Sequence, residues 1–178
     1  MDMVEALAES LAIKIKQANP NQTVSVPVMK FALIIVINFT IPVFASLAFG
    51  ALTGKWLETL TAMVFFIPLR MISGGYHFES PIPCMLVTFT IIAVPPHISL
   101  PDSWIYILTA AALILIAWLA PANMKGYNTI PEKYYPLLKI SSVVIVSGNF
   151  LFLSGTAAIV LAVQGISLLF RNKEVKPT

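Results

Sequence analysis

Apolar residues come first at four-residue spacing and then in long runs. Met3, Leu7, Leu11 and Ile15 recur every four positions with Ala8, Ala12 and Ala18 beside them, while Asp2, Glu5, Glu9 and Lys16 lie largely on other faces. This period predicts an amphipathic helix over residues 2–18, suited to lying on a bilayer or capping a bundle but too polar to cross. Asn19-Pro20-Asn21 ends it. Apolar runs then cover 28–49, 56–69, 104–120, 137–153 and 156–170, each read as a membrane segment against the roughly 20 residues a crossing needs. Asn38 and Pro42 interrupt the first and are expected to face other helices. Arg70 is expected to end the second. The stretch from 84 to 94 is too short alone, and reaching 81–100 requires a bend at Pro95-Pro96, so it is read as kinked or re-entrant.

Composition agrees with the pattern. Of 178 residues, 58% are hydrophobic and 11% charged, against about 25% charged in soluble domains. The expected fold class is all-α: a polytopic membrane helix bundle of about six membrane segments plus an N-terminal amphipathic helix. One domain is expected, with residues 1–27 as the amphipathic segment, 28–170 as the bundle and 171–178 as a tail. The first 27 residues hold no continuous apolar region of the kind a secretory signal peptide needs.

Charge sets an expected orientation. With six spans and the N-terminus inside, ten of the eleven Lys and Arg residues fall on or near the cytoplasmic side, and only Lys55 falls outside. The polar stretch 70–84 is then cytoplasmic, where a thiol stays reduced. Bilayer lipid is the expected surroundings, and no nucleic-acid partner is expected.

That stretch, Arg70-Met-Ile-Ser-Gly-Gly-Tyr-His-Phe-Glu-Ser-Pro-Ile-Pro-Cys84, holds the chain's only cysteine and one of its two histidines. Cysteine attacks carbonyls as the thiolate, so a nucleophilic site lowers its pKa and places a base nearby. Ser80 is a candidate cap for a helix whose first turn tolerates Pro81 and Pro83, which puts Cys84 near a helix N-terminus, where dipole and amide groups favour an anion. His77 is the candidate base. Gly74 and Gly75 permit a tight turn or close approach of backbone donors to a substrate carbonyl, and with Arg70 they are candidates for support or for an oxyanion site. Beside this stand plainer readings: an inert thiol, a loop histidine, a simple turn, and an arginine that anchors a span end. Glu79 is either a partner of His77 or a solvated acid. Ser147, Gly148, Asn149 and Gln164 are read as helix-packing and interhelical hydrogen-bond positions. No metal site is expected, since His97 is predicted on the opposite face, and no nucleotide or cofactor motif is present. A non-enzymatic transporter or scaffold is the alternative function. The near absence of intramembrane charge weighs against ion-coupled transport.

Arg70, Ser73-Gly74-Gly75-Tyr76-His77 and Cys84, with six residues between His77 and Cys84, resemble the AgrB (accessory gene regulator B) family of membrane cysteine endopeptidases. Ala120-Pro121-Ala122, Lys125 and Ile130-Pro131 match where the family carries a basic loop. The resemblance implies that His77 and Cys84 are base and nucleophile. The implied activity is cleavage of the C-terminal tail of an AgrD-like precursor and its cyclisation for quorum sensing, by a homodimer at the cell membrane and without a cofactor. Glu79, Asn123, Lys125 and Lys133 are the candidate substrate-binding residues. Two features depart from the pattern: Phe78 stands where a small residue is common, and the 121–139 loop is less basic than in many members.

Overall fold

The computed structural model describes residues 3–78, 80–124 and 130–170, and every regular element among them is helical. The seven α-helices are α1 (Met3–Ala18), α2 (Val26–Leu52), α3 (Trp56–Ser73), α4 (Pro81–Ala93), α5 (Asp102–Leu119), α6 (Tyr135–Phe152) and α7 (Gly155–Ser167), with 3-10 turns at Pro95–His97 and Glu132–Tyr134. By length and composition, α2, α3, α5 and α6 with its preceding turn suffice to cross a membrane, and α4 and α7 are shorter apolar helices. The chain is a polytopic membrane helix bundle. It divides into two compact units, Met1–Ser46 with Phe78–Thr90, and Leu47–His77 with Ile91–Thr178.

In the first unit, α1 keeps the predicted period but buries its narrower face. Val4, Ala8 and Ala12 are buried, while Met3, Leu7, Leu11 and Ile15 are exposed. Small residues allow close helix approach, which leaves the large apolar side chains free for lipid. Lys30 Nζ meets Glu9 Oε2 at 2.7 Å and ties α2 to α1. Along α2, Asn38, Pro42 and Ser46 recur every four residues on one face. Pro42 removes one donor from the ladder, yet the helix continues to Leu52.

In the second unit, α3, α5, α6 and α7 surround a core of Phe65, Leu69, Ala112, Ile116, Val146, Ala157 and Leu161. Outward faces carry Val64, Ile114, Trp118 and Leu151, each at least two-thirds exposed. Such residues are at ease in lipid tails and ill-suited to water. Asn149 closes the α6–α7 hairpin. Its Nδ2 donates to Thr109 Oγ1 at 2.9 Å and to Ser154 O, and its Oδ1 accepts from Ser154 N. Ser154 then caps α7 by accepting from Ala157 N.

Two sequence expectations are corrected here. Arg70 does not end the second span: α3 runs on to Ser73 and stops at Gly74, whose φ of 73° and ψ of −140° no helix accommodates. Backbone conformation, not charge, terminates it. The last segment ends at Ser167 rather than 170, with turns through 168–170. The expected bend at Pro95-Pro96 is present. α4 stops at Ala93, and the two prolines open the Pro95–His97 turn.

Candidate active site

At its Ser73 end, α3 meets two distant segments of the same unit. Ala122 N donates to Ser73 O at 3.0 Å and Gly75 N donates to Ala122 O at 3.1 Å, forming a short parallel bridge after the cis Ala120–Pro121 bond. Both glycines are required by space as well as by φ. A Cβ on Gly74 would collide with Ala122 O, and one on Gly75, where φ is 126°, would collide with the Arg70 guanidinium and lie 2.8 Å from Ser167 Oγ. The Gly74 N–H is bonded to Arg70 O and the Gly75 N–H to Ala122 O. These two donors are therefore already engaged within the protein.

Arg70 sits inside this junction. It donates to Gly74 O and Ser167 Oγ, each at 3.4 Å, and to Tyr76 O. Its cation is thereby turned toward backbone carbonyls and an α7 hydroxyl, bracing the loop from Gly74 to Tyr76. From α7, Gln164 Nε2 donates to Ser73 Oγ and Gly74 O, both at 2.8 Å. Tyr76 packs edge-on against Phe170, with ring centroids 6.4 Å apart.

His77 follows directly and is half-buried. Burial first, and the Arg70 charge second, hold its imidazole down at about 4, below the ordinary 6.5. Both causes penalise the cationic form. The ring is therefore neutral throughout the physiological range, the state in which it accepts a proton.

Cys84 belongs to the other unit. It is the fourth residue of α4, which begins at Pro81 immediately after Ser80, and its thiol is free and half-buried. Cys84 therefore lies near a helix N-terminus, as expected. Asn123, at φ 58°, donates through Nδ2 to Phe170 O at 2.8 Å, so that part of its amide is engaged within the fold. Lys133 is exposed in the Glu132–Tyr134 turn, with Nζ 5.0 Å from the Tyr134 ring centroid. Glu79 and Lys125 lie outside the described residues. His97 stands at the other end of α3 from His77, with Nε2 3.4 Å from Thr53 Oγ1 and its ring edge-on to Phe49. An 18-residue helix is about 27 Å long, so the two histidines serve separate ends of the unit. No cluster of three or more metal-binding side chains occurs among the described residues.

The structure thus gathers Arg70, Gly74, Gly75 and His77 with Ser73, Ala122, Gln164 and Ser167. Sequence reasoning treats Gln164 as a generic interhelical hydrogen-bond residue and does not single out Ser167. The available signal was Gln164 itself, an amide in an otherwise apolar α7. Its partners are 90 and 91 residues away, which no local pattern reveals.

The chain is 26% identical over 93% of its length to an AgrB-like protein of Halalkalibacterium halodurans, covering 82% of that protein. It is 30% identical to an AgrB-like protein of Listeria welshimeri and 28% identical to one of Listeria innocua, over 83% and 87% of its own length. Of those two relatives it spans 66% and 65%. No solved structure matches it significantly. The profile of the family described as Accessory gene regulator B matches residues 5–170. With nearly the whole chain matched, from within α1 to the turn after α7, the protein belongs to the AgrB family.

Proposed function

We propose that this protein is a membrane cysteine endopeptidase that removes the C-terminal tail of a small AgrD-like precursor and promotes cyclisation of the remainder into a quorum-sensing peptide. The observation that carries this reading is His77. It is an imidazole kept neutral by burial and by Arg70, on a loop braced by paired glycines, seven residues before the only cysteine. The neutral imidazole is in the form that accepts a proton, and it takes the Cys84 proton as precursor binding raises its basicity from about 4 toward ambient pH.

In the proposed reaction, His77 takes the Cys84 thiol proton and the sulfur attacks the precursor carbonyl. A C–S bond forms, the C–N bond breaks, and the proton passes to the departing amine of the tail. A thiol or hydroxyl of the precursor then attacks the acyl-enzyme, closes a thiolactone or lactone, and returns Cys84 as the thiol. Exchange of one thioester for another conserves the acyl group's reactivity, so thiolactone closure needs no nucleotide. The first step runs uphill from amide to thioester, and departure of the tail draws it forward. Arg70, Gly74 and Gly75 act as supports of the His77 loop. Lys125 and Lys133 offer positive charge to an acidic tail, with Asn123 and Glu79 as further precursor contacts. The site faces the cytoplasm of the bacterial cell, and the enzyme acts as a homodimer.

The test is co-expression with a precursor bearing an amphipathic leader, a central cysteine and an acidic tail, read by mass spectrometry. Tail release and a covalent adduct at Cys84 are expected in the unaltered protein. Cys84→Ala and His77→Ala should each abolish both. Release of the tail by either variant would sink the assignment.

A further inference from the structure

Between α3 and His77, the chain passes through one peptide plane that is held on both sides. Gly75 N donates to Ala122 O on one side, and Gly74 O accepts from Gln164 Nε2 at 2.8 Å and from Arg70 Nη1 at 3.4 Å on the other. Both flanking residues are glycines at positive φ. Glycine occupies many backbone states with little preference, so nothing intrinsic to Gly74-Gly75 selects one orientation of this plane. Outside contacts have to choose it. The Tyr76–His77 segment leaves in whichever direction that plane dictates.

Gln164 is placed to make the choice. Its side chain is 1% exposed on α7, where an unpaired amide would be costly. Its NH2 donors are both paired, and the Ser167 hydroxyl, whose shorter bond is to Gln164 O at 2.7 Å, lies within reach of its oxygen. Nε2 reaches Ser73 Oγ and Gly74 O, and Oε1 lies 3.3 Å from Ser167 Oγ. The amide's orientation follows from chemistry, because Gly74 O only accepts and so demands the NH2 end. Ser73 Oγ spends its own proton on Leu69 O at 2.7 Å, which leaves its lone pairs to Gln164. A residue needed only to fill the core would be better served by leucine or methionine at this depth.

We propose that Gln164 is a positioning residue for His77: its amide, reaching from α7, selects the orientation of the Gly74–Gly75 peptide and so aims the chain that carries the imidazole. The proposal rests on the reading of His77 as the base, and it identifies a support that no local motif contains. Arg70 grips the same carbonyl less closely and also the Tyr76 carbonyl. Gln164 therefore acts on the Gly74–Gly75 peptide, and Arg70 acts on that peptide and on the Tyr76–His77 peptide.

The test uses full-length protein in lipid nanodiscs with two variants. Gln164→Met keeps the length and flexibility of the side chain without a donor, and Gln164→Asn keeps the amide but is one methylene short of Gly74 O. For each, turnover of a synthetic precursor with a central cysteine and an acidic tail is measured beside the NMR titration of His77. In both variants kcat should fall at least about tenfold, the scale of one lost buried hydrogen bond, with KM within about twofold. The His77 titration should move upward from about 4 as the loop regains water and distance from Arg70. Wild-type kcat with an unmoved titration in either folded variant overturns the proposal. So does a loss of activity that tracks only the loss of folded protein while His77 titrates as before. If the unaltered protein releases no tail from any precursor, the peptidase reading fails, and the His77 titration still decides the role of Gln164.

Discussion

The two ends of α3 carry the chain's two histidines and are built in opposite ways. At the Trp56 end, the turn's own bonds are local, and the exposed His97 touches it from afar, 3.4 Å from Thr53 Oγ1 and edge-on to Phe49. Gly54 N bonds to Ala51 O, Lys55 N to Gly50 O, Thr53 Oγ1 to Phe49 O, and Lys55 to Glu58. At the Ser73 end, the loop is held from afar: by Ala122, and by Gln164 and Ser167 on α7. Local bonds suffice to reverse the chain between two helices. Long-range bonds converge where the position of a side chain matters beyond the turn itself. That difference is why His77 is braced and partly desolvated while His97 stays exposed in a short 3-10 turn.

Glycine substitution breaks the comparison most sharply. Gly54 and Gly75 both have positive φ, but a Cβ at Gly54 meets nothing within 4 Å, whereas one at Gly75 meets the Arg70 guanidinium and Ser167. Gly75→Ala should therefore displace Arg70, dismantle the brace and move His77. Tail release should fall by about 100-fold or more, the cost of misplacing a catalytic group by about 1 Å. The assay is tail release at equal amounts of folded protein. Activity within tenfold of the unaltered chain would show that the close approach of Gly75 to Arg70 is incidental.

Arg70→Gln removes the same brace and adds a specific electrostatic signature. It removes the second cause of the depressed His77 pKa and leaves the first, burial. The His77 titration should rise only part of the way from about 4 toward 6.5. The sign for stability follows from proton binding. With the folded pKa below the unfolded one, the unfolded state binds more protons between about pH 4 and 6.5, so stability increases as pH rises through that window and falls as pH drops. In Arg70→Gln the window narrows from its acid side and the slope within it persists over a shorter range. NMR titration of His77, paired with unfolding midpoints from pH 4 to 7, checks both. No upward shift would assign the depression to burial alone.

The same contrast explains what was legible in the sequence. Apolar runs located α2, α3, α5 and α6, because a helix facing lipid is apolar on nearly every side and needs no partner to be recognised. The start of α4 was readable from Ser80-Pro81, whose geometry is local. The boundary at Ser73 was misread because Arg70 is a visible charge, while the termination comes from the φ of Gly74. The brace around His77 was not readable beyond its Arg and Gly members. Gln164 and Ala122 reach it only through tertiary packing, and Ala122 contributes backbone atoms that any residue but proline would supply. Which face of α1 is buried was not legible for a related reason. Periodicity finds an apolar stripe but does not say whether the protein or the lipid takes the larger side chains.

The smallest expected effect lies at the locally held end. Gly54→Ala forces an L-residue to φ 69° in open space, so the penalty is conformational only, about 1–2 kcal/mol. Because the Gly54 turn shares no bond with the Ser73 junction, that cost should appear as a modest drop in the unfolding midpoint. Tail release by the folded protein and the His77 titration should both stay unchanged. Paired measurement with Gly75→Ala contrasts left-handed strain alone, at φ 69°, with the greater strain at φ 126° combined with displacement of Arg70. Equal losses of activity in the two variants would mean that α3 transmits strain from end to end. The Ser73 end would then owe its behaviour to the stability of the whole helix rather than to the bonds from α7.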